Sequence, residues 1–401
     1  LRLPDFKDRQ PVLIQRRNLK MARSAHAYVR GNTLKFYEWL DSADRVSLPE
    51  GPPIWICGDC HVGNLGPVAN AKRRVEIQIR DLDQTVVGNP AHDLIRLGLS
   101  LATAARGSDL PGVTTANMIE QMVEGYEKAI GDDDEAASDG DRPEAVHVVM
   151  KRALGRSWKH LAEERLEDRK PAIPLGKRFW PLARHEKKEI AELFETTTAR
   201  KLVTSLRSRD DDAKLEVLDA AYWMKGCSSL GLLRYAVLLS VDGGTGKKGE
   251  FCLMDIKEAV RAAAPRYADA KMPRNNGERV VEGARHLAPF LGERMLAARL
   301  MDRSVFMREL MPQDLKIEID RLTRGEAMKA ARFLAMVVGK AHARQMDDAT
   351  RRHWHAQLSL NRSKTLDAPS WLWSAIVELV AGHEAAYLDH CRRYAMAARA
   401  A

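Results

Sequence analysis

Trp55-Ile56-Cys57-Gly58-Asp59-Cys60-His61-Val62-Gly63-Asn64, with Ile79-Arg80-Asp81-Leu82-Asp83 behind it, is the stretch on which the reading of this chain turns. A short apolar run ends in Asp59, and Asn64 follows five residues later. A second apolar run ends in the acidic pair Asp81 and Asp83. Loops at strand ends commonly carry chemistry. Phosphoryl transfer uses such a set: one carboxylate near the attacking hydroxyl, with an Asn and an Asp holding magnesium against the phosphates. Asp59 and Asn64 have the spacing of the catalytic Asp and the magnesium-binding Asn in the protein-kinase loop signature. Taken alone, the first segment reads as an Asx turn followed by a loop Asn, both common.

The next segment narrows the choice. Asp81-Leu82-Asp83-Gln84-Thr85-Val86-Val87-Gly88-Asn89-Pro90-Ala91-His92-Asp93-Leu94 resembles the corresponding part of aminoglycoside phosphotransferases and choline kinases. In those families a metal-binding Asp precedes a Gly-x-Pro turn and an Asp that opens a buried helix. Asp81, Gly88, Pro90 and Asp93 fall at matching intervals. Asp93 is expected to cap the helix through Arg96 and to brace the Asp59 loop with its carboxylate. A metal-hydrolase site with Asp59, Cys60, His61, Asp83 and His92 as zinc ligands is not expected, on the reading that the regular zinc spacings Cys-x-x-Cys and His-Glu-x-x-His are absent.

Residues suited to gripping a nucleotide come much later. Lys225-Gly226-Cys227-Ser228-Ser229-Leu230-Gly231 is a glycine-bounded loop whose backbone N–H groups can lie over phosphates. Gly and Ser fill most turns, so the loop alone decides nothing. Leu232 to Val241 is β-branched and apolar, Asp242-Gly243-Gly244-Thr245-Gly246 signals a hairpin, and Glu250 to Lys257 is the returning strand. It ends in Met254-Asp255-Ile256-Lys257, similar to the strand lysine that pairs with ATP phosphates in kinases. Alternation sets Lys257 on the face of Phe251, Leu253 and Asp255. A helix expected at 276–291 offers Glu278 and Glu282 as the lysine's partner, and Glu282 is chosen for its place nearer the middle of the apolar stretch. Val305-Phe306-Met307-Arg308-Glu309-Leu310 is expected as the hinge that reads adenine, with Arg308 and Leu310 at the nucleotide. Ala330 to Arg344 resembles the buried helix that ordinarily runs into a catalytic loop, yet Lys340-Ala341-His342-Ala343-Arg344 meets no such loop along the chain.

One rearrangement accounts for this order. The chain resembles a circularly permuted, bilobal protein-kinase-like fold, with the catalytic and metal loops first and the ATP-gripping unit later. Permutation is tolerated where termini are exposed. The motifs in this order also resemble the bacterial family known as domain of unknown function 2252. The resemblance runs from Met21-Ala22-Arg23-Ser24 and Tyr28-Val29-Arg30-Gly31 through Ala341-His342-Ala343-Arg344. That family usually has an Ala- or Leu-type residue at Cys60 and a fuller Gly-x-Gly-x-x-Gly loop, whose middle glycine is Ser228 here.

The kinase-like resemblance implies an ATP- and magnesium-dependent phosphotransferase acting on a small hydroxyl- or amine-bearing molecule. Asp59 would accept or orient the substrate proton. Asn64 and Asp81 would hold Mg2+, with Asp83 as a second metal contact or a loop brace. Gly226, Ser228, Ser229, Gly231 and Lys257, the last held by Glu282, would grip the phosphates. His61 would contact phosphate or pack the loop, and Arg30 would reach the transferring group or an anionic substrate. Two alternatives stay open: a nucleotide-binding pseudokinase or regulatory module, and an adenylyl transferase on the same scaffold.

Composition sets outer bounds. An apolar content of 45% and a charged content of 30% over 401 residues suit a soluble globular chain with room for two or three cores. The mostly helical pattern with one sheet-rich insert, like the kinase-like resemblance, implies an α+β fold. The expected organisation is a helical catalytic unit at 1–215 and 316–401 around a sheet-containing unit at 216–315. Helices are expected at 12–41 with a bend at Gly31, and at 93–105, 113–130, 143–166, 184–207, 325–346 and 371–396. An acidic loop is expected at 131–141. No apolar run approaches the ~20 residues of a membrane span, and the charged start lacks a secretory core. With Leu1 where an initiator Met would stand, a trimmed or partial start is expected, which leaves a removed leader open. Five scattered cysteines point to the reducing cytosol. The net charge of +9 comes from basic residues dispersed among acidic ones, as in Glu186-Lys187-Lys188-Glu189. Without a basic, aromatic-interleaved block, nucleic acid is not an expected partner. A nucleotide and a small molecule are the expected partners, and no motif sets an oligomeric state.

Overall fold

Short apolar runs around the Asp59 segment form two small ladders in this computed structural model, which describes residues 3–42, 48–131, 142–156, 172–205, 209–243, 250–315, 317, 323–360, 362 and 367–396. Strand β1 (Ile54–Ile56) pairs antiparallel with β4 (Val86–Gly88), and between them β2 (Leu65–Ala69) pairs with β3 (Val75–Ile79). The Asp59 loop leaves β1, and the Asp81–Asp83 loop joins β3 to β4. Both loops therefore emerge side by side.

Helices enclose these ladders. The Pro90–Gly107 helix is buried along most of its length, because apolar residues such as Leu94, Ile95, Leu97 and Leu101 surround it on all sides. Its N-cap is Asn89, whose side chain accepts from the Ala91 amide at 2.9 Å. Asp93 does not cap it; the cap falls one turn earlier because Pro90 already stands at the first helical position. The Gly112–Ile130 and Arg324–Ala343 helices pack along one another, and Asp348–Ser359 and Ser370–His390 complete the helical core. The expected 12–41 helix is three pieces, Arg9–Met21, Ala25–Gly31 and Thr33–Ser42. Most of the expected acidic loop, the tip of the 242–246 turn and the far end of the 143–166 helix lie outside the described residues.

A six-stranded antiparallel sheet forms the second unit. Its strands β5 (Phe179–Trp180), β6 (Leu215–Trp223), β7 (Arg234–Val241), β8 (Glu250–Glu258), β9 (Met295–Leu300) and β10 (Arg303–Glu309) lie in the order β5-β6-β7-β8-β10-β9. Alternation divides its faces. Cys252, Met254 and Ile256 join Tyr235, Val237, Val305 and Met307 on one face, under Ile190, Phe194, Leu202 and Val203. Thus the Arg184–Glu195 and Thr197–Thr204 helices, read from sequence as part of the helical unit, pack on the sheet. Leu253 joins Ala236, Leu238 and Trp223 on the other face. Toward the Asp59 loop this second face turns from apolar to charged, through Arg234, Asp255, Lys257 and Arg308.

The Asn276–Leu287 helix follows β8 and sends Val280, Val281 and Ala284 into the helical core. It stops before the expected residue 291 because Ala288 leaves helical geometry and Pro289 starts a separate short turn. No helix among the described residues is long and apolar enough to cross a membrane.

Candidate functional site

The Asp59 loop is held from behind by one buried carboxylate. Asp93 Oδ2 accepts from the Cys57 amide at 2.7 Å, and Oδ1 accepts from the Gly58 amide at 2.9 Å. His342 Nε2 lies 3.2 Å from Asp93 Oδ2, while its Nδ1 is 2.8 Å from the Tyr126 hydroxyl. Trp354 Nε1 donates to that hydroxyl at 3.1 Å. Four helices thus feed one hydrogen-bonded chain that ends on the loop backbone. Gly58 is required at the turn: its φ is +72°, and a Cβ there would lie 2.2 Å from the Gln84 carbonyl oxygen.

Asp59 is fixed by Arg96, a residue the sequence reading treated only as a helix-cap partner. Arg96 Nε donates to Asp59 Oδ1 at 3.0 Å, and its Nη2 donates to the Val29 carbonyl at 2.6 Å. Burial raises the Asp59 carboxyl above its usual range, against the lowering pull of Arg96. Its Oδ2 stands 3.9 Å from His61 Nε2. Burial, then Arg30 and Arg96, hold His61 well below the ordinary histidine range, so it is neutral. An Arg set among Leu94, Ile95, Leu97 and Leu99 in the apolar middle of its helix is the available signal for Arg96.

Asn64 donates its amide to the Asp59 carbonyl at 2.9 Å, which leaves its side-chain oxygen for the cavity. Across from it, Lys257 donates to Asp81 Oδ1 at 3.3 Å and to Asp83 Oδ2. Desolvation pushes Asp81 upward, but Lys257, Asp83 and Arg234 together outweigh it and hold the carboxyl well below the usual range. Burial and the Asp81 charge push Asp83 up. The pair thus shares one ammonium, with Asp81 the member that stays ionised. Asp59, Asn64, Asp81 and Lys257, drawn from distant parts of the chain, meet around two adjoining cavities.

The inner cavity, about 80 Å³, lies between Lys257, Arg234, Asp255, Phe306 and Arg308. Arg234 makes a two-bond pair with Asp255, at 3.0 and 2.7 Å, and Arg308 stands 4.0 Å from the same carboxylate. The outer cavity, about 380 Å³, is bounded by Asp59, His61, Arg30 and residues 226–229 of the glycine loop. That loop connects β6 to β7. Among the described residues, the amides of Cys227, Ser228 and Ser229 donate to no protein acceptor. Gly231 lies beyond this wall of the cavity.

Two expected contacts differ. Glu282 does not reach Lys257; it pairs with Arg285 at 3.0 Å and His286 at 3.4 Å on the outer side of its helix. The helix instead turns Arg279 inward, where it donates to the carbonyls of Asp83, Thr85 and Val260. Leu310 spends its amide on the Leu253 carbonyl at 2.8 Å and its side chain in the sheet core, so it has no free donor for a base.

Asp81, Asp83 and Asn64 offer two carboxylates and an amide oxygen, a donor set that suits a hard cation, with His61 and Cys227 on the wall of the outer cavity. Cys57 and Cys60 stand in Cys-x-x-Cys spacing, contrary to the expectation that no such pair is present, and both are buried. No group of three or more His, Cys, Asp or Glu among the described residues could hold a metal ion. A hard cation bound here would need Asn64 as well as Asp81 and Asp83.

A family model described as "Uncharacterized protein conserved in bacteria (DUF2252)" matches residues 9–393. No curated protein and no solved structure matches the chain.

Proposed function

We propose that this chain, which belongs to the bacterial family DUF2252, is an ATP- and magnesium-dependent phosphotransferase acting on a small molecule. One observation carries the reading: Lys257, from the sheet, meets Asp81 and Asp83 beside Asn64 and Asp59. The order of parts in the sheet unit supports it. A glycine-bounded loop, a strand lysine and a following helix succeed one another as in protein kinases. A circular permutation is supported by Gln345, just beyond the Arg324–Ala343 helix. It accepts from the Trp55 amide at 2.9 Å and donates to the Trp55 carbonyl at 3.0 Å, joining that helix to β1.

In this reading Asp59 Oδ2 takes the proton of the acceptor hydroxyl, and the raised carboxyl range suits a base. Arg96 keeps Oδ1 fixed so that one oxygen faces the acceptor. Asn64, Asp81 and Asp83 would hold magnesium, which neutralises phosphate charge when bound. Lys257 exchanges its carboxylate partners for phosphate oxygens, and the loop amides at 227–229 donate to them. Turnover of ATP by wild type and Asp59→Asn tests the assignment. The expected result is magnesium-dependent ADP formation, lowered about 10²- to 10⁴-fold in the variant. Equal turnover in both sinks the role of Asp59.

A second reading, adenylyl transfer, is favoured by the inner cavity. Its 80 Å³ and its arginines suit phosphates better than a purine ring, which would place the base outward. Pyrophosphate in place of ADP among the products decides for it.

A further inference from the structure

The two cavities share Asn64, Asp81, Lys225 and Gly226, and their other walls differ in kind. Lys257, Arg234 and Arg308 border only the inner one. Asp59, Lys20, Arg30 and Arg178 border only the outer one. A group passing from nucleotide to acceptor crosses where the shared residues and the 227–229 amides meet, and the rest of the outer cavity, walled by Asp59, Lys20, Arg30 and Arg178, is the acceptor's. We propose that this acceptor is a small hydroxyl compound carrying its own fixed anion, a phosphate monoester or a carboxylate, held by Arg30. The proposal rests on the phosphotransfer reading and deepens it.

The charge balance of the outer wall is the reason. Its two carboxylates are already engaged, Asp59 with Arg96 and Asp81 with Lys257. Arg30 has no hydrogen-bond or ion-pair partner among the described residues, and its Nε is buried without an acceptor. Its guanidinium packs directly over Gly63, where a Cβ would lie 2.6 Å from Arg30 Nη2. Lys20 has a single neutral partner, the Gly226 carbonyl at 2.6 Å, and Arg178 is exposed at the mouth. A protonated amine would meet the basic side chains of Lys20, Arg30 and Arg178 in this cavity, with Lys225 on the shared wall, and a neutral polyol would leave them uncompensated. An anion satisfies them, and a planar guanidinium binds phosphate or carboxylate oxygens in pairs.

The step balances without a further reactant. The acceptor hydroxyl oxygen forms a bond to the terminal phosphorus of ATP, and the bond from that phosphorus to the bridging oxygen breaks. ADP leaves, and the hydroxyl proton passes to Asp59 Oδ2. The product carries two anionic groups.

Calorimetric titration of the full chain with glycerol 3-phosphate, glycerate and glycerol tests the proposal, each with and without saturating magnesium and a non-hydrolysable ATP analogue. Glycerol 3-phosphate or glycerate is expected to bind with the analogue present, and glycerol is not. The tighter of the two anions assigns phosphate or carboxylate. Arg30→Gln is expected to weaken that binding at least tenfold, with the analogue's affinity unchanged, and Arg30→Lys to fall between. Should Arg30→Gln not fold, Lys20→Met is expected to weaken the anion in the same direction. Glycerol binding as well as the anions, unchanged binding in Arg30→Gln, or displacement of the anion by the analogue overturns the proposal. An analogue that fails to bind while the anion still depends on Arg30 overturns the phosphotransfer reading instead.

Discussion

The Lys257 ammonium lies 3.3 Å from the Asp81 carboxylate, although 176 positions separate the two in the chain. Strand alternation brings it there. Leu253, Asp255 and Lys257 share one face of β8, and that face passes from apolar core to charged cleft as it nears the Asp81–Asp83 loop. At this point the sheet unit and the loop unit meet through an ion cluster.

Replacing Lys257 by Met removes the one cation between two neighbouring carboxylates. Half of the Asp81 side chain is open to solvent, so screening limits the cost to roughly 2 kcal/mol, below that of a fully buried pair. Urea unfolding is expected to show this loss, and Lys257→Met with Asp83→Asn to regain more than half of it. Equal losses in the single and double variants would mean that Lys257 and Asp83 are not coupled.

Asp93→Ala strands two loop amides and His342 at a position with no solvent access. Unsatisfied buried groups of this kind cost about 1–3 kcal/mol each, so a loss of about 3 kcal/mol is expected. His342→Ala is expected to cost less, because Asp93 keeps both amide bonds. A loss under about 1 kcal/mol for Asp93→Ala, measured the same way, contradicts the bracing role.

Acid sensitivity has an assignable source in His383. Burial, with Arg96 adding to it, lowers its pKa from 6.5 to about 4. The unfolded chain takes up this proton below about 6.5 and the folded chain only below about 4, so the unfolded state binds more protons between them. Stability from the neutral ring is full above pH 6.5 and falls through that window by roughly 3 kcal/mol. His92, also lowered to about 4 by burial, acts in the same direction. The difference in unfolding free energy between wild type and His383→Gln, followed from pH 7.5 to 4, should shrink on acidification by about that amount. A difference that is constant with pH refutes the assignment.

Gln345→Ala removes both hydrogen bonds that tie the end of the Arg324–Ala343 helix to Trp55. About 1–2 kcal/mol is expected from two such bonds. Amide exchange at Trp55 and its β1 neighbours should rise selectively, and an unchanged pattern there would remove the helix–strand junction as an anchor.

What could be read in advance follows from periodicity and motif. The β7–β8 hairpin, the face of Lys257 and the buried helix after Pro90 were legible because unbroken patterns carry them. Strand β6 was missed: Glu216 and Asp219 break its alternation, and a register shift between Val217 and Asp219 moves the pattern to the other face. Two-residue β5 is too short to show a period. Glu282 was chosen by position along its helix, but rotation about the helix axis decides contact, and the inward face carries Arg279. The unpartnered state of Arg30 depends on Gly63 and on where every nearby carboxylate is already spent, which no local pattern encodes.

Equilibrium binding of ATP with and without magnesium, by wild type, Asp81→Ala and Lys257→Ala, tests the central claim most directly. The expected result is magnesium-dependent binding by wild type, weakened at least tenfold in both variants. Equal ATP affinity in all three proteins, with or without the metal, would contradict it.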